Sequence, residues 1–333
     1  MQKIFFIFYF TIITGHAAFC QAQKDLRRYS FTHNQMGTVF NIVCYSDDKT
    51  KTENIVKKAF MMIDSLNMIF SDYNPESELN QLCLESGNGK YMPVSIPLFE
   101  VIRKSLYWSK HSRGAFDITV GPYSQLWRRA IRQDEMPDSV RLAKASESVG
   151  YRNIKLRRSD HSIKLKKKNM QLDLGGIAKG YTVDKVYGFL VDNGLKSCLV
   201  DGGGDIYAGP KPPDEAGWKV QFLELDDRKQ YMMLTDRAVA TSGDLYRYFE
   251  YNGRKYSHII DPRTGMGITV PRTVSVLAPD ATSADALATI LSIEGLKNGF
   301  KLLRKLQVVG AVISEKNGEK IKSFNYGDLE LFK

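Results

Sequence analysis

The sequence predicts an α+β fold in which antiparallel-rich sheets pack against helices. Strand-like runs and helical periods are interspersed without a strict βαβ rhythm, which disfavours a doubly wound parallel sheet. No internal repeat is visible, which sets aside solenoids and propellers. The 333 residues are 43% hydrophobic and 25% charged, with 26 Gly and 11 Pro, values that exclude disordered, collagen-like and low-complexity chains. A chain of this length buries roughly 75% of its unfolded surface and needs no covalent staple. One large domain and two lobes both fit the length.

The chain opens with Lys3 and an almost unbroken apolar run from Ile4 to Ile13, the pattern of a secretory signal peptide over residues 1–22. A small-x-small cleavage site fits Cys20-Gln21-Ala22 and leaves residues 23–333 as one unit. The expected location is therefore exported, in the periplasm. The rival is an inner-membrane lipoprotein acylated on Cys20, for which Phe19 is a poor preceding residue. No later segment is long and apolar enough for a transmembrane helix. Cys44, Cys83 and Cys198 form no CxxC pair and no metal spacing; Cys44 and Cys198 read as buried apolar residues on strands.

Four helices are predicted in order. A capping box at Thr50 and Glu53 opens one that carries Ile55, Ala59, Ile63 and Leu66 on one face. Ser95 to His111 follows, with Pro97 in its first turn; then Ile177 to Asn193, closed by Gly194; then Ser283 to about Ile293. Strands are predicted at Val39–Tyr45, Ser197–Val200, Trp218–Leu225, Ala238–Thr241, Tyr256–Ile260, Val274–Ala278 and Val308–Ser314.

The formal charge of +10 is the one unusual compositional value. Much of it lies in Lys155 to Lys168, which reads as a hairpin turning near Ser159-Asp160, with the final three lysines guarding an edge strand. That stretch has no aromatic residue on which bases could stack, so nucleic acid is not an expected partner.

Six segments gather charged or hydroxyl residues at element boundaries, all but the second of them beside glycine: NQMGT from Asn34, FSDYNPESEL from Phe70, RGAFDITVGP from Arg113, DLGGIAKGYTVD from Asp173, LVDGGGDIYAGP from Leu199, and the pair ATSGDLYRYF from Ala240 and YSHIIDPRTG from Tyr256. Each alone could be a tight turn or close packing. The fourth is the most informative, because glycines directly before a helix leave unpaired N–H groups that suit a phosphate. Lys179, in the first turn of that helix, is disfavoured by the dipole, and an anionic ligand is one explanation for it.

Asp285 and Thr289 are four apart, so a helix places a carboxylate and a hydroxyl one turn apart on one face. Hard oxygens of this kind suit Mg²⁺; a helix-start Asp favouring the dipole, with Thr289 bonded back to its own helix, is the alternative. His258 lies at a strand end beside a DP-x-x-G turn. It is either structural or, near a phosphate and a metal, a candidate acid or base.

Taken together and in this order, GAFDITVGP, DLGGIAKGYTVD, DGGGD, TSGD, SHIIDPRTG and ADALAT resemble the ApbE family of FAD:protein FMN transferases, over roughly Met36 to Ile313. The resemblance implies a T-fold-like architecture with two lobes around an FAD cleft. It further implies Mg²⁺-dependent transfer of the FMN moiety of FAD to a threonine of a partner protein, with release of AMP. The implied partners are FAD and subunits of sodium-pumping NADH:quinone reductase (Nqr) or Rnf-type complexes that carry a small-residue/Thr motif. Membrane association would come through a lipid anchor or the acceptor complex. The alternative is a periplasmic FAD-binding protein or an FAD pyrophosphatase yielding FMN and AMP.

Carried over by motif, Asp285 and Thr289 would be Mg²⁺ ligands, joined by a backbone carbonyl of Gly176, with Ala178 second. Met36 and Tyr73 would line the flavin or adenine pocket. Ala115, Phe116 and Asp117 would contact FAD, and Asp173 and Lys179 would hold its nucleotide portion. His258 would be the base for the acceptor threonine, with Asp244 orienting it. Gly265-Met266-Gly267 departs from the Gly-x-Pro common in the family at that turn.

Overall fold

The computed structural model describes residues 26–222, 230–243, 248–306, 308–327 and Leu329. The expected leader over residues 1–22 with Cys20, the expected orienter Asp244 and the end of the strand expected to reach Leu225 lie outside these residues.

The chain starts with a hairpin, β1 (Arg27–Gln35) and β2 (Thr38–Ser46), turned by Met36 and Gly37, both at positive φ as a two-residue hairpin turn requires. Helix α1 (Lys49–Phe70) follows, and its cap is Asp48, whose carboxylate accepts the Lys51 N–H at 2.9 Å. The expected capping box at Thr50 is thus displaced, because Asp48 reaches the same orphan donors earlier in the chain. Next come α2 (Glu78–Leu84), β3 (Met92–Pro93) and α3 (Ile96–His111), the last capped by Ser95 with Pro97 in its first turn, as predicted. After a 3₁₀ turn at Ile118–Val120 come α4 (Gly121–Gln133) and α5 (Ser139–Ser146).

The basic stretch is a hairpin of β4 (Ile154–Arg157) and β5 (Ser162–Leu165), and an Arg157–Asp160 ion pair closes its turn at 2.6 Å. β5 lies between β3 and β4, so Lys166–Lys168 follow a central strand and do not guard an edge. Their exposure solvates them all the same.

Helix α6 (Ala178–Asp192) leads into β6 (Cys198–Gly202) and β7 (Asp205–Ala208), joined by Gly203-Gly204; the DGGGD segment is a tight turn. A hairpin of β8 (Trp218–Phe222) and β9 (Gln230–Leu234) precedes β10 (Arg237–Gly243). The strand expected across Tyr256–Ile260 is broken at His258. Instead β11 (Tyr248–Tyr251) pairs with β12 (Arg254–Ser257), and β13 (Ile260–Asp261) pairs with β14 (Met266–Gly267) around the DPRTG turn. Last come β15 (Arg272–Ala278), α7 (Ala281–Leu306), β16 (Gly310–Asn317) and β17 (Lys320–Tyr326).

Eight strands form one sheet in the order β1-β2-β6-β7-β10-β15-β16-β17, and every pairing is antiparallel. Period-two alternation divides their side chains between two faces. Phe40, Ile42, Val200, Ala240, Val276 and Ile313 point into the core under α1, α6 and α7. Val43, Val239, Leu277 and Val312 point the other way, onto Trp218, Val220, Met232 and Leu234 of the β8–β9 hairpin. Cys44 and Cys198 are register partners within the helix-side core, both buried and free, and burial pushes the Cys44 thiol up to about 11. Among the described residues no helix is long and apolar enough to cross a membrane. The α+β expectation holds.

Helix α7 runs well past the expected Ile293. Gly295 interrupts it at φ 67° and ψ −175°, and the chain then resumes a helical course. Buried Arg272 donates to the Ser292 carbonyl left at the first segment's end, while Glu315 accepts the Leu296 N–H at 2.8 Å and pairs with Arg272 at 2.7 Å. One ion pair therefore serves both new helix ends.

Helices α6 and α7 meet backbone to backbone: a Cβ on Gly180 would lie 2.2 Å from the Ala281 carbonyl oxygen. Gly188, ten residues before the Cys198 that begins β6, has open space around it. Gly180→Ala should therefore destabilise the fold by at least about 2 kcal/mol. Gly188→Ala, on the same helix, should stabilise it by about 0.5–1 kcal/mol. Urea denaturation of the two variants checks the opposite signs.

Candidate active site

The first turn of α6 and the first half of α7 build the centre of the site. Asp184, on α6, reaches across to α7 and accepts the Ala281 N–H at 2.7 Å and the Thr282 N–H at 2.9 Å, together with the Thr282 hydroxyl. Asp280 caps the same helix from its own chain, accepting the Ser283 N–H at 2.9 Å. Two carboxylates thus fix α7 at its positive end. This places Asp285, only 3% exposed, against α6, where Gly180 N–H donates to its Oδ2 at 3.1 Å.

Gly176, in the loop leading into α6, is pressed against Thr289. A Cβ there would sit 2.8 Å from the Thr289 hydroxyl oxygen and 3.2 Å from the Phe116 ring. The structure thus brings Gly176, Thr289 and Phe116 together and sets Asp285 one helical turn before Thr289. Lys179 is ion-paired with Asp205, which is 2% exposed at the start of β7. The cation in the first turn therefore has its anion within the chain.

Burial, and then the negative charge of Asp205, push the Asp285 carboxyl well above the usual carboxylate range; Lys179 and the Gly180 N–H only partly offset this. A hard divalent cation beside Asp285 would relieve that cost. The donor set fits one: a carboxylate, a hydroxyl and a nearby backbone carbonyl are all oxygen. Among the described residues no group of three or more His, Cys, Asp or Glu could hold a metal, so such an ion would keep waters or borrow substrate oxygens.

Asp173 opens the glycine loop. Its Oδ1 accepts the Gly175 N–H at 2.8 Å, and its Oδ2 accepts the Ser124 hydroxyl at 2.6 Å. Arg128, one turn after Ser124, approaches the same Oδ2 at 3.7 Å and pairs with Asp72 at 2.5 Å. Tyr73, 76% exposed, lies with its ring 3.9 Å from the Arg128 guanidinium carbon. Met36, in the first hairpin turn, accepts a weak hydrogen bond from the Thr182 hydroxyl at 3.7 Å and so sits over α6. Ala115 is fully buried. The Asp117 carboxylate is occupied internally, taking the Thr119 N–H and hydroxyl at 2.8 and 2.6 Å and the Tyr151 N–H at 2.7 Å.

His258 is exposed at the bend between β12 and β13. The turn after it is held from α4: Trp127 Nε1–H donates to the Gly265 carbonyl at 2.8 Å, and a Cβ on Gly265 would meet the Tyr123 ring at 2.7 Å. Arg263 of the same turn pairs with Glu294 of α7 at 2.7 Å. A cleft of about 530 Å³ lies between this turn and the AFD segment, lined by Gly114, Asp117, Tyr123, Tyr151, Pro262 and Arg263 among others.

The matching family model is that of the ApbE family, over residues 36–313. The chain belongs to the ApbE family. It is similar to the FAD:protein FMN transferase of Treponema pallidum, at 31% identity over 88% of this chain and 86% of that protein. The FAD:protein FMN transferase of Klebsiella pneumoniae is 27% identical over 90% of this chain and 93% of that protein. Among solved structures, the apo flavinyl transferase ApbE of Pseudomonas stutzeri superposes with a TM-score of 0.81 at 26% identity, covering 90% of this chain and 95% of that one. The ApbE architecture is thus this chain's architecture.

Within the family's segments, motif reading gave Asp72, Asp184 and Asp205 no role, although all three lie inside the quoted stretches. Ser124, Trp127 and Arg128 lie just beyond one. The available signal was their i,i+4 pairing on α4, with Tyr123 and Trp127 on one stripe and Ser124 and Arg128 on the next.

Burial is the main cause that raises both Asp72 and Asp184 to about 6, with the charge of Asp173 second for Asp72. A carboxyl raised on folding keeps its proton longer in the folded state, so its stabilising contribution is complete below the unfolded pKa and is lost as pH rises through the folded value. The metal-free protein should therefore lose stability between about pH 4 and pH 6.5. Urea midpoints in chelator at pH 4.5, 5.5 and 7 test this, and midpoints that climb across that interval would refute it.

Proposed function

We propose that this chain is an Mg²⁺-dependent flavin transferase that moves the FMN moiety of FAD onto a threonine hydroxyl of another protein and releases AMP. The observation that carries the reading is the convergence of Gly176, Thr289 and buried Asp285 at the start of α6. There Gly176 lies against the Thr289 hydroxyl, and Asp285, one helical turn before Thr289, takes the Gly180 N–H. The names of the relatives, FAD:protein FMN transferases, support the transfer itself.

In this reading the positive end of α6 attracts the pyrophosphate oxygens; the unpaired N–H cradle expected from the glycine loop is not what does so, because the Gly175, Ile177, Ala178 and Gly180 N–H groups are already bonded to Asp173, Leu174 and Asp285. Asp285, Thr289 and the Gly176 carbonyl would hold the metal ion, which supplies charge neutralisation at those oxygens. Lys179 would hold the nucleotide portion only in competition with its Asp205 pair. Met36 and Tyr73 offer an apolar contact and a ring for the aromatic parts of FAD. Phe116 forms the wall behind Gly176, and Ala115, fully buried, precedes it in the chain.

His258 is the base. Its exposed position at a bend lets an acceptor loop approach from solvent, and the imidazole takes the threonine proton as the hydroxyl oxygen attacks the FMN phosphorus. The pyrophosphate P–O bond breaks and AMP leaves with the electron pair. The acceptors would be subunits of membrane redox complexes of the Nqr or Rnf type, met in the periplasm by an exported chain.

The test is incubation with FAD, Mg²⁺ and a peptide bearing a small-residue/Thr motif, read by mass. Covalent addition of FMN is expected. AMP and free FMN with an unmodified peptide would establish a pyrophosphatase, and neither product a binding protein. Asp285→Asn should lower kcat/KM about a thousandfold or more while the protein stays folded. His258→Ala should cost about 10²–10⁴-fold in kcat. Full activity in the Asp285 variant would overturn the metal assignment.

A further inference from the structure

Arg128 lies outside the segments that suggested the site, yet it touches two of them. Its guanidinium pairs with Asp72 at 2.5 Å, approaches Asp173 at 3.7 Å and lies 3.9 Å beneath the Tyr73 ring. Three groups from two distant stretches of chain therefore converge on one planar cation. Arg128 itself is held on α4, whose Trp127 anchors the turn after His258.

We infer that Arg128 is a positioning residue for the aromatic part of the nucleotide: its guanidinium fixes the Tyr73 ring as a platform beside the glycine loop that Asp173 opens. This rests on the transferase reading and deepens it, because that reading gives Tyr73 a ring contact without saying what holds the ring in place.

The distances decide what Arg128 controls. Asp173 keeps the Ser124 hydroxyl at 2.6 Å and the Gly175 N–H at 2.8 Å, so the glycine loop retains both anchors when Arg128 is changed. The Tyr73 side chain is 76% exposed and rests on the guanidinium, so its placement depends on Arg128. A flat, delocalised guanidinium can stack on a ring and bond a carboxylate in its plane at the same time; an ammonium is a point charge and cannot do both. Loss of Arg128 should therefore weaken nucleotide binding and leave the bond-breaking step intact.

The experiment measures KM for FAD and kcat with an acceptor peptide, and FAD affinity by flavin fluorescence, for wild type, Arg128→Lys, Tyr73→Leu and the double variant. Arg128→Lys should raise KM about tenfold, which is about 1.4 kcal/mol, with kcat within about twofold of wild type. Tyr73→Leu, a change at an exposed side chain, should do the same. The double variant should be no worse than the poorer single one, because both changes remove the same platform.

Additive effects, a fall in kcat at unchanged KM, or an Arg128→Lys protein indistinguishable from wild type would overturn the inference. If Arg128→Lys were to lose the fold, Tyr73→Leu alone decides: unchanged KM rejects the platform, and raised KM supports it. A wild-type protein that binds FAD while both variants bind equally well rejects this inference and leaves the transferase reading standing. A wild-type protein that binds no FAD rejects both.

Discussion

The site depends on one contact, the meeting of α6 and α7 at Gly180 and Ala281. Side chains usually hold packed helices 8–10 Å apart. Here a carbonyl oxygen occupies the space a Cβ would need, so the two backbones are closer than any other residue would permit. Because of that approach a main-chain N–H of α6 can reach a carboxylate on α7, and a loop glycine can press against a hydroxyl one turn further on. Asp184 fixes the register along the contact by tying α6 to the first two N–H groups of α7. The antiparallel sheet beneath gives both helices an apolar floor, and the contact sets the distances within the site.

That geometry has an electrostatic cost. Asp184, Asp205 and Asp285 are gathered about the α6–α7 contact and the strand beside it, and burial raises the pKa of each. Lys179 offsets part of the negative charge by pairing with Asp205. Asp184 is compensated differently, by backbone N–H groups at a helix end, where the dipole favours an anion. Asp285 receives a single N–H from Gly180 and bears the charge of Asp205. A site that selected only for stability would not bury a carboxylate so poorly compensated. The excess negative charge is concentrated where a cation would act, beside Thr289 and Gly176.

Much of this was legible in the sequence. Apolar periodicity located the helices at Ser95–His111 and Ile177–Asn193 and most strands of the large sheet, because an amphipathic face is a local property. The segment glycines marked close approaches, and Gly176 and Gly180 are two of them. What was not legible depended on contacts between distant parts of the chain. Asp48 and Thr50 both satisfy helix-start chemistry, and only the folded backbone shows which one reaches the donors. The helix expected to end at about Ile293 continues past Gly295, because Arg272 and Glu315 together allow it to resume. The anion for Lys179 is twenty-six positions away at Asp205, so local reasoning supplied an external ligand instead. The lysines at 166–168 took an edge-strand role from their pattern, but the order β3-β5-β4 makes their strand the central one.

The two halves of the site are joined by α4 more directly than by the sheet. His258 belongs to short hairpins outside the eight-stranded sheet, and Asp285 and Thr289 belong to a helix packed upon it. Along one stripe of α4, Tyr123 and Trp127 receive the turn that follows His258; along the adjacent stripe, Ser124 and Arg128 receive Asp173 and Asp72. Residues four apart on a helix share a rigid face, so these two grips cannot move independently by much. The Arg263–Glu294 pair adds a second tie, from the same turn to the helix that carries Asp285. In the proposed transfer, a base on a mobile hairpin would meet the FMN phosphorus at variable distance, and a misplacement of about 1 Å can cost a hundredfold in rate. A helix that grips both partners restrains that distance while leaving His258 exposed, as the proposed transfer to another protein's hydroxyl requires.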